Sequence, residues 1–153
     1  MEKRASSPED PSGSMLTPYR HGVILLLTSN PRLAGVVSHA VASLGSSAPR
    51  LSTVRDAADC LVALRLLGPS LLVLDDSVAR GQGTQLLEEL LEARPGTPIV
   101  YVASDHTLEF ERQVRRCGVL LYIAMPDDHD ELATTLTRML RSFVRVPGSR
   151  DQR

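Results

Sequence analysis

The chain has 153 residues, of which 42% are hydrophobic and only 3% aromatic, and its formal net charge is −1. That length suits one ordinary domain with tails, and that apolar content excludes disorder throughout. A charge so near zero argues against a nucleic-acid polyelectrolyte binder, which would carry a basic excess.

Residues 1–21 are rich in Ser and Pro with mixed charge, and read as a flexible N-terminal tail. The tail holds Lys3, the one lysine of the chain, so every other basic side chain is arginine. Schiff-base chemistry, a phosphate-loop lysine and a lysine proton carrier are thereby excluded from the folded part. The tail has no hydrophobic signal segment, and no apolar stretch approaches a membrane span, so a soluble cytoplasmic protein is expected.

Val23–Leu27 is an all-apolar run bounded by Gly22 and Ser29-Asn30-Pro31, which predicts a strand covered on both faces. A helix follows over Pro31–Leu44, with Leu33, Val36, Val37, Ala40, Val41 and Leu44 on one side. Ser29 or Asn30 would cap it and Gly45 would stop it. Arg50–Val54 reads as a weaker second strand, and a helix from about Arg55 to Leu67 ends at Gly68-Pro69. Leu71–Asp75 is the third strand. The loop Ser77–Gly83 then leads into a helix over Thr84–Ala93 with Leu86, Leu87, Leu90 and Leu91 inward.

After the turn Pro95–Pro98, Ile99–Ala103 is a fourth strand with β-branched residues. Thr107–Cys117 is a helix, Leu120–Ala124 the fifth strand, and Asp127–Phe143 the last helix, with Leu132, Leu136, Met139, Leu140 and Phe143 at helical spacing. Residues 144–153, with Pro147-Gly148, read as a flexible C-terminal tail. Cys60 and Cys117 lie in helical apolar contexts without metal-ligand spacing, and read as two buried reduced thiols.

Five strands alternating with five helices over residues 22–143 specify a single doubly wound α/β domain built on a parallel sheet. Thr28-Ser29, Asp75-Asp76, Ala103-Ser104 and Met125-Pro126 fall at the carboxyl ends of strands, where such sheets bind ligands.

Several marks occur together. Asp75 closes the run Leu71-Leu72-Val73-Leu74, and Gly83 follows eight positions later. Pro98 leads into the fourth strand, Pro126 follows the fifth, and Tyr122 stands three before Met125. On these residues the chain resembles the receiver domain of bacterial two-component response regulators. The resemblance implies a flavodoxin-like strand order 2-1-3-4-5, Asp75 at the phosphoacceptor position, a cis bond before Pro126, and Tyr122 as an aromatic that rotates on switching. It also implies a partner or dimer face on helix four, strand five and helix five, which here offers Arg112, Arg116, Tyr122, Thr134 and Arg138.

The departures from that pattern define the functional expectation. Thr28 and Ser29 stand where receivers carry two acidic residues for Mg²⁺. Ala103 replaces a Thr or Ser that holds a phosphoryl oxygen, Met125 replaces a lysine, and Ala79 replaces a proline. Mg²⁺ needs carboxylates to offset its reluctance to dehydrate. Phosphoryl transfer needs the charge on the equatorial oxygens neutralised. If each lost group is worth roughly 2–4 kcal/mol, transfer at Asp75 becomes slower by orders of magnitude. Asp76 should point away from Asp75 if the pleat continues.

The chain is therefore read as a non-catalytic pseudo-receiver without cofactor or metal. It would contact protein partners or a second copy, and neither nucleic acid nor membrane. The alternative is a divergent single-domain response regulator, phosphorylated on Asp75 by a cognate histidine kinase with Mg²⁺. A small enzyme of the same fold lacks support, since no Gly-rich phosphate loop follows the first strand. Asp127-Asp128-His129-Asp130 complements a helix dipole rather than gathering a metal. His21, His39 and His106 read as surface residues.

Overall fold

The structure of the protein, a computed structural model, describes residues 22–151. The expected N-terminal tail, with Lys3 and His21, lies outside those residues.

The first strand, β1 (Val23–Leu27), is buried along its whole length. Helix α1 (Pro31–Ala42) begins where Asn30 accepts the Arg32 N–H at 2.9 Å and Pro31 supplies a pre-set first turn. It stops before Leu44 because a short 3₁₀ turn, Gly45–Ser47, intervenes. Strand β2 (Arg50–Val54) is an edge strand and only partly covered, which is why its sequence signal is weak. Helix α2 (Ala57–Leu67) starts two residues later than expected, because Asp56 caps the Asp59 N–H at 2.8 Å. Gly68, at φ 53°, closes it in the left-handed conformation.

Strand β3 (Leu71–Asp75) is followed by a 3₁₀ turn, Asp76–Ala79, and then helix α3 (Gly83–Ala93). Strand β4 (Ile99–Ala103) leads to α4 (Leu108–Arg116), capped by the Thr107 hydroxyl, and then to β5 (Leu121–Ala124). The last helix, α5, runs His129–Asp151. The expected loose end is corrected for residues 144–151. α5 continues through Pro147-Gly148, giving up the one backbone hydrogen bond that Pro147 cannot donate.

All strands are parallel, in the order β2-β1-β3-β4-β5. This is the doubly wound order 2-1-3-4-5 that was expected. Strand residues alternate between two cores, as the period of two demands. Leu25, Leu27, Leu72, Leu74 and Tyr101 face α2, α3 and α4. Ile24, Leu26, Leu71, Val73, Val100 and Val102 face α1 and α5. With helices on both faces, the apolar runs are explained by double coverage. Strand order reverses between β1 and β3, so the position where sheets of this kind form their crevice, beyond the carboxyl ends of these strands, falls at Thr28 and Asp75.

Both cysteines are free. Cys60 is buried on the inner face of α2, whereas Cys117 is only half-buried at the end of α4, a correction to the expectation of two buried thiols. Burial, with Asp56 adding to it, pushes the Cys60 thiol up to about 12, and burial also raises Cys117. A disulfide-exchange reagent at mildly alkaline pH should therefore label Cys117 slowly and Cys60 only after denaturant is added. Peptide mapping after timed quenching would check this; equal labelling rates would mean that the inner face of α2 is not closed over Cys60.

Candidate functional site

The register of β1 on β3 pairs Leu27 with Leu74, which brings Thr28 beside Asp75. Asp75 is 1% exposed, and both its oxygens are engaged. The Thr28 hydroxyl donates to Oδ2 at 2.6 Å. Ser77 donates to Oδ1 twice, from its N–H at 3.0 Å and its hydroxyl at 2.8 Å. Asp75 is thus the N-cap of the 3₁₀ turn that follows it. Thr28 in turn accepts the Asn30 N–H at 3.0 Å, which ties this carboxylate to the start of α1.

Asp76 points away from Asp75, toward β4, and is itself only 8% exposed. The Tyr101 hydroxyl donates to its Oδ2 at 2.9 Å. Ser104 donates to Oδ1 from its N–H at 2.8 Å and its hydroxyl at 2.9 Å. Two adjacent carboxylates therefore sit on opposite sides of the chain, each satisfied by three neutral donors. Among the described residues neither has a cationic side chain within ion-pair distance. Hydrogen bonds alone offset the burial of these charges.

The other positions read from the sequence do not complete a phosphoryl site. Ser29 is exposed. Ala103 is buried and offers only a methyl group, and the hydroxyl of Ser104 next to it is committed to Asp76. Met125 packs against the α1/α5 core, and its N–H donates to the Ala103 carbonyl at 2.9 Å. Ala79 packs against the other core. The implied cis bond before Pro126 is corrected: among the described residues every peptide bond is trans, the form an X–Pro amide prefers by about 0.5–1 kcal/mol.

The receiver resemblance implies a divalent cation at these strand ends, and the donor set does not fit one. Mg²⁺ favours near-octahedral oxygen ligation anchored by carboxylates. Here a single carboxylate is present, and Thr28 turns its proton toward it rather than a lone pair toward a metal. Among the described residues no group of three or more His, Cys, Asp or Glu gathers elsewhere. Asp128 spends its side chain on the Asp130 N–H at 2.9 Å, a helix-start contact.

On the far side of β4 the structure brings together residues that the sequence left apart. Tyr122 is 7% exposed and stacks on Tyr101, with ring centroids 6.0 Å apart and planes within 4°. Its hydroxyl lies 3.0 Å from His106 Nδ1, and the Arg115 guanidinium sits 5.8 Å from its ring centre. His106 is exposed, as expected of a surface residue, yet it is partnered, which the sequence did not reveal. Burial, with Glu111 next in weight, holds the Tyr122 hydroxyl above its ordinary pKa. Tyr101 is raised further, by burial first and then by Asp76.

Arg112, Thr134 and Arg138 of the expected interaction face are exposed. Tyr122 is not, so it presents no free ring there. Arg116 lines a groove of about 520 Å³ with Thr84 and Glu88, which places it on the α3 side of α4.

No family model matches the chain. It is 34% identical over 70 residues to the transcriptional regulatory protein DpiA of Escherichia coli, a match covering 46% of this chain and 31% of that protein. It is 30% identical over 78 residues to the transcriptional regulatory protein CitB of Klebsiella pneumoniae, covering 51% and 33%. The matched part spans about a third of the length of these curated relatives. Among solved structures it is similar to the Mn²⁺-bound form of response regulator Rcp1, with TM-score 0.68, 19% identity and coverage of 82% of this chain and 96% of that one. The phosphorylated cyanobacterial phytochrome response regulator RcpA superposes with TM-score 0.67 and 21% identity, covering 78% and 91%. A CheY-like receiver domain protein from Methanospirillum hungatei gives TM-score 0.63 at 20% identity, covering 79% and 94%.

Proposed function

We propose that this chain, a response-regulator receiver domain by its fold and its sequence likeness, works as a phosphorylation-independent interaction module in a bacterial two-component-type pathway. The observation that carries the reading is the state of Asp75. Its two oxygens are taken by Thr28 and Ser77, and it is buried almost completely. A carboxylate that attacks phosphorus needs a free oxygen aimed in line and positive charge to meet the incoming phosphate. Asp75 has neither. Its role is to fasten the turn after β3 to the start of α1.

Without that chemistry the output is contact. The module acts without a cofactor and is not an enzyme. The surface on α4, β5 and α5, with Arg112, Thr134 and Arg138 exposed, is the face we assign to a protein partner or a second copy. No described helix is long and apolar enough to cross a membrane; we place the module in the cytoplasm, with neither nucleic acid nor lipid as its ligand. The alternative, phosphorylation of Asp75 by a cognate histidine kinase, draws on the position of Asp75 at the end of β3.

Incubation of the full chain with Mg²⁺ and acetyl phosphate, read by intact mass, separates the two readings. No phosphoryl adduct is expected. A stoichiometric adduct that Asp75→Asn abolishes would overturn the proposal in favour of the alternative.

A further inference from the structure

Tyr122 lies on β5, the outermost strand of the sheet, beside half-buried Leu121 and Ile123 and exposed Ala124. A large aromatic on an edge strand has solvent within one rotamer change, yet this one is almost wholly covered. The covering is specific. β4 and β5 pair Tyr101 with Tyr122, so the two rings run parallel, with centroids 6.0 Å apart. Tyr101 cannot yield, because Asp76 holds its hydroxyl and Phe110 meets it edge-on at 5.9 Å. The Arg115 guanidinium lies 5.8 Å from the Tyr122 ring centre, and Glu111 binds that guanidinium at 2.8 Å.

The hydroxyl end is closed by a residue from outside the core. His106, in the loop between β4 and α4, reaches Tyr122 with Nδ1, and its Nε2 lies 3.9 Å from Glu111. We propose that His106 is a latch that holds Tyr122 closed against Tyr101, so that the α4–β5 edge keeps one shape irrespective of Asp75. The latch belongs to the loop and α4, not to the crevice, so it stands or falls separately from the reading of Asp75.

The contact is backed on every side: Glu111 lies at the other ring nitrogen, Glu111 also holds Arg115 beside the Tyr122 ring, and Asp76 fixes Tyr101 behind it. A partner docking on α4 and β5 therefore meets the closed form, and opening needs the His106 contact to be broken.

Nitration of the full chain with tetranitromethane, followed by peptide mapping, reads the position of each ring. Tyr101 and Tyr122 should both react far more slowly than N-acetyltyrosinamide. His106→Ala should speed nitration of Tyr122 by about tenfold, the factor equivalent to one ordinary hydrogen bond, while Tyr101 stays protected. His106→Asn, whose amide overlays Nδ1, should restore most of the protection. Unchanged protection of Tyr122 in His106→Ala would overturn the latch. So would parallel exposure of Tyr101, which would make His106 a general support of the fold.

Discussion

Gly83→Ala is expected to destabilise the domain by about 3 kcal/mol, although the substitution favours a helix. Gly83 opens α3 and is buried, with its backbone outside the left-handed region. Its requirement is space. A Cβ there would collide with the Tyr101 hydroxyl, and would lie 3.2 Å from Tyr101 Cζ and 3.3 Å from Asp76 Cβ. The ring has nowhere to go, being stacked on Tyr122, met by Phe110 and tied to Asp76.

Relief of the collision must therefore break the bond to Asp76. Overpacking costs about 1–3 kcal/mol and the lost bond to a charged group about 1.5–3, against a helix-propensity gain of about 0.5–1. Urea denaturation would measure the sum. A double-mutant cycle with Tyr101→Phe would locate it, because removal of the hydroxyl should leave Gly83→Ala with less than about 1 kcal/mol of its cost. A full penalty retained in the Tyr101→Phe background would assign the cost to the backbone instead.

The same geometry marks where the sequence could be read and where it could not. Val23–Leu27 and Leu71–Leu74 announce central strands because parallel strands covered on both faces need no polar alternation. Asp75 at the end of such a run, followed at the right distance by Gly83, identified the fold and the crevice. The absence of acids at Thr28 and Ser29 and of lysine at Met125 was equally visible. What those losses do to Asp75 was not. That Thr28 bonds Asp75 directly follows from the pairing of Leu27 with Leu74, a register that no local pattern reveals.

The pleat argument sent Asp76 to the other side, but its partners Tyr101 and Ser104 come from a strand and loop 25 and 28 residues on. His106 and Tyr122 are 16 residues apart and meet only because β4 and β5 are neighbours. Helix ends were displaced by caps, Asp56 for α2 and Thr107 for α4, whose choice among adjacent polar residues depends on backbone angles.

Asp75 itself provides the sharpest contrast. Asp75→Leu should destabilise the domain by about 3 kcal/mol, whereas Asp75→Asn should stay within about 1 kcal/mol of the wild type. Leucine leaves the hydroxyl proton of Thr28, itself 2% exposed, without its acceptor, and strips the N-cap from the turn Asp76–Ala79. Ser77 is exposed, so its hydroxyl can turn to water and adds little. Asparagine keeps an oxygen for both Ser77 donors, so the cap survives, and its amide N–H replaces the lost bond by donating to Thr28 Oγ1, which has a lone pair beside the Asn30 N–H; only the Thr28 proton gives up its acceptor.

Asparagine also removes a buried negative charge that no cation among the described residues offsets, which compensates for the loss of a charge-assisted bond. A phospho-switch would respond in the opposite order, since an amide cannot accept a phosphoryl group however well it packs. The chain with Asp75→Asn, returned to the native locus, is therefore expected to preserve the wild-type phenotype, and Asp75→Leu to lower the level of folded protein. Loss of function in the asparagine variant at an unchanged denaturation midpoint would mean that the carboxylate acts chemically, and that Thr28 must move aside to let it.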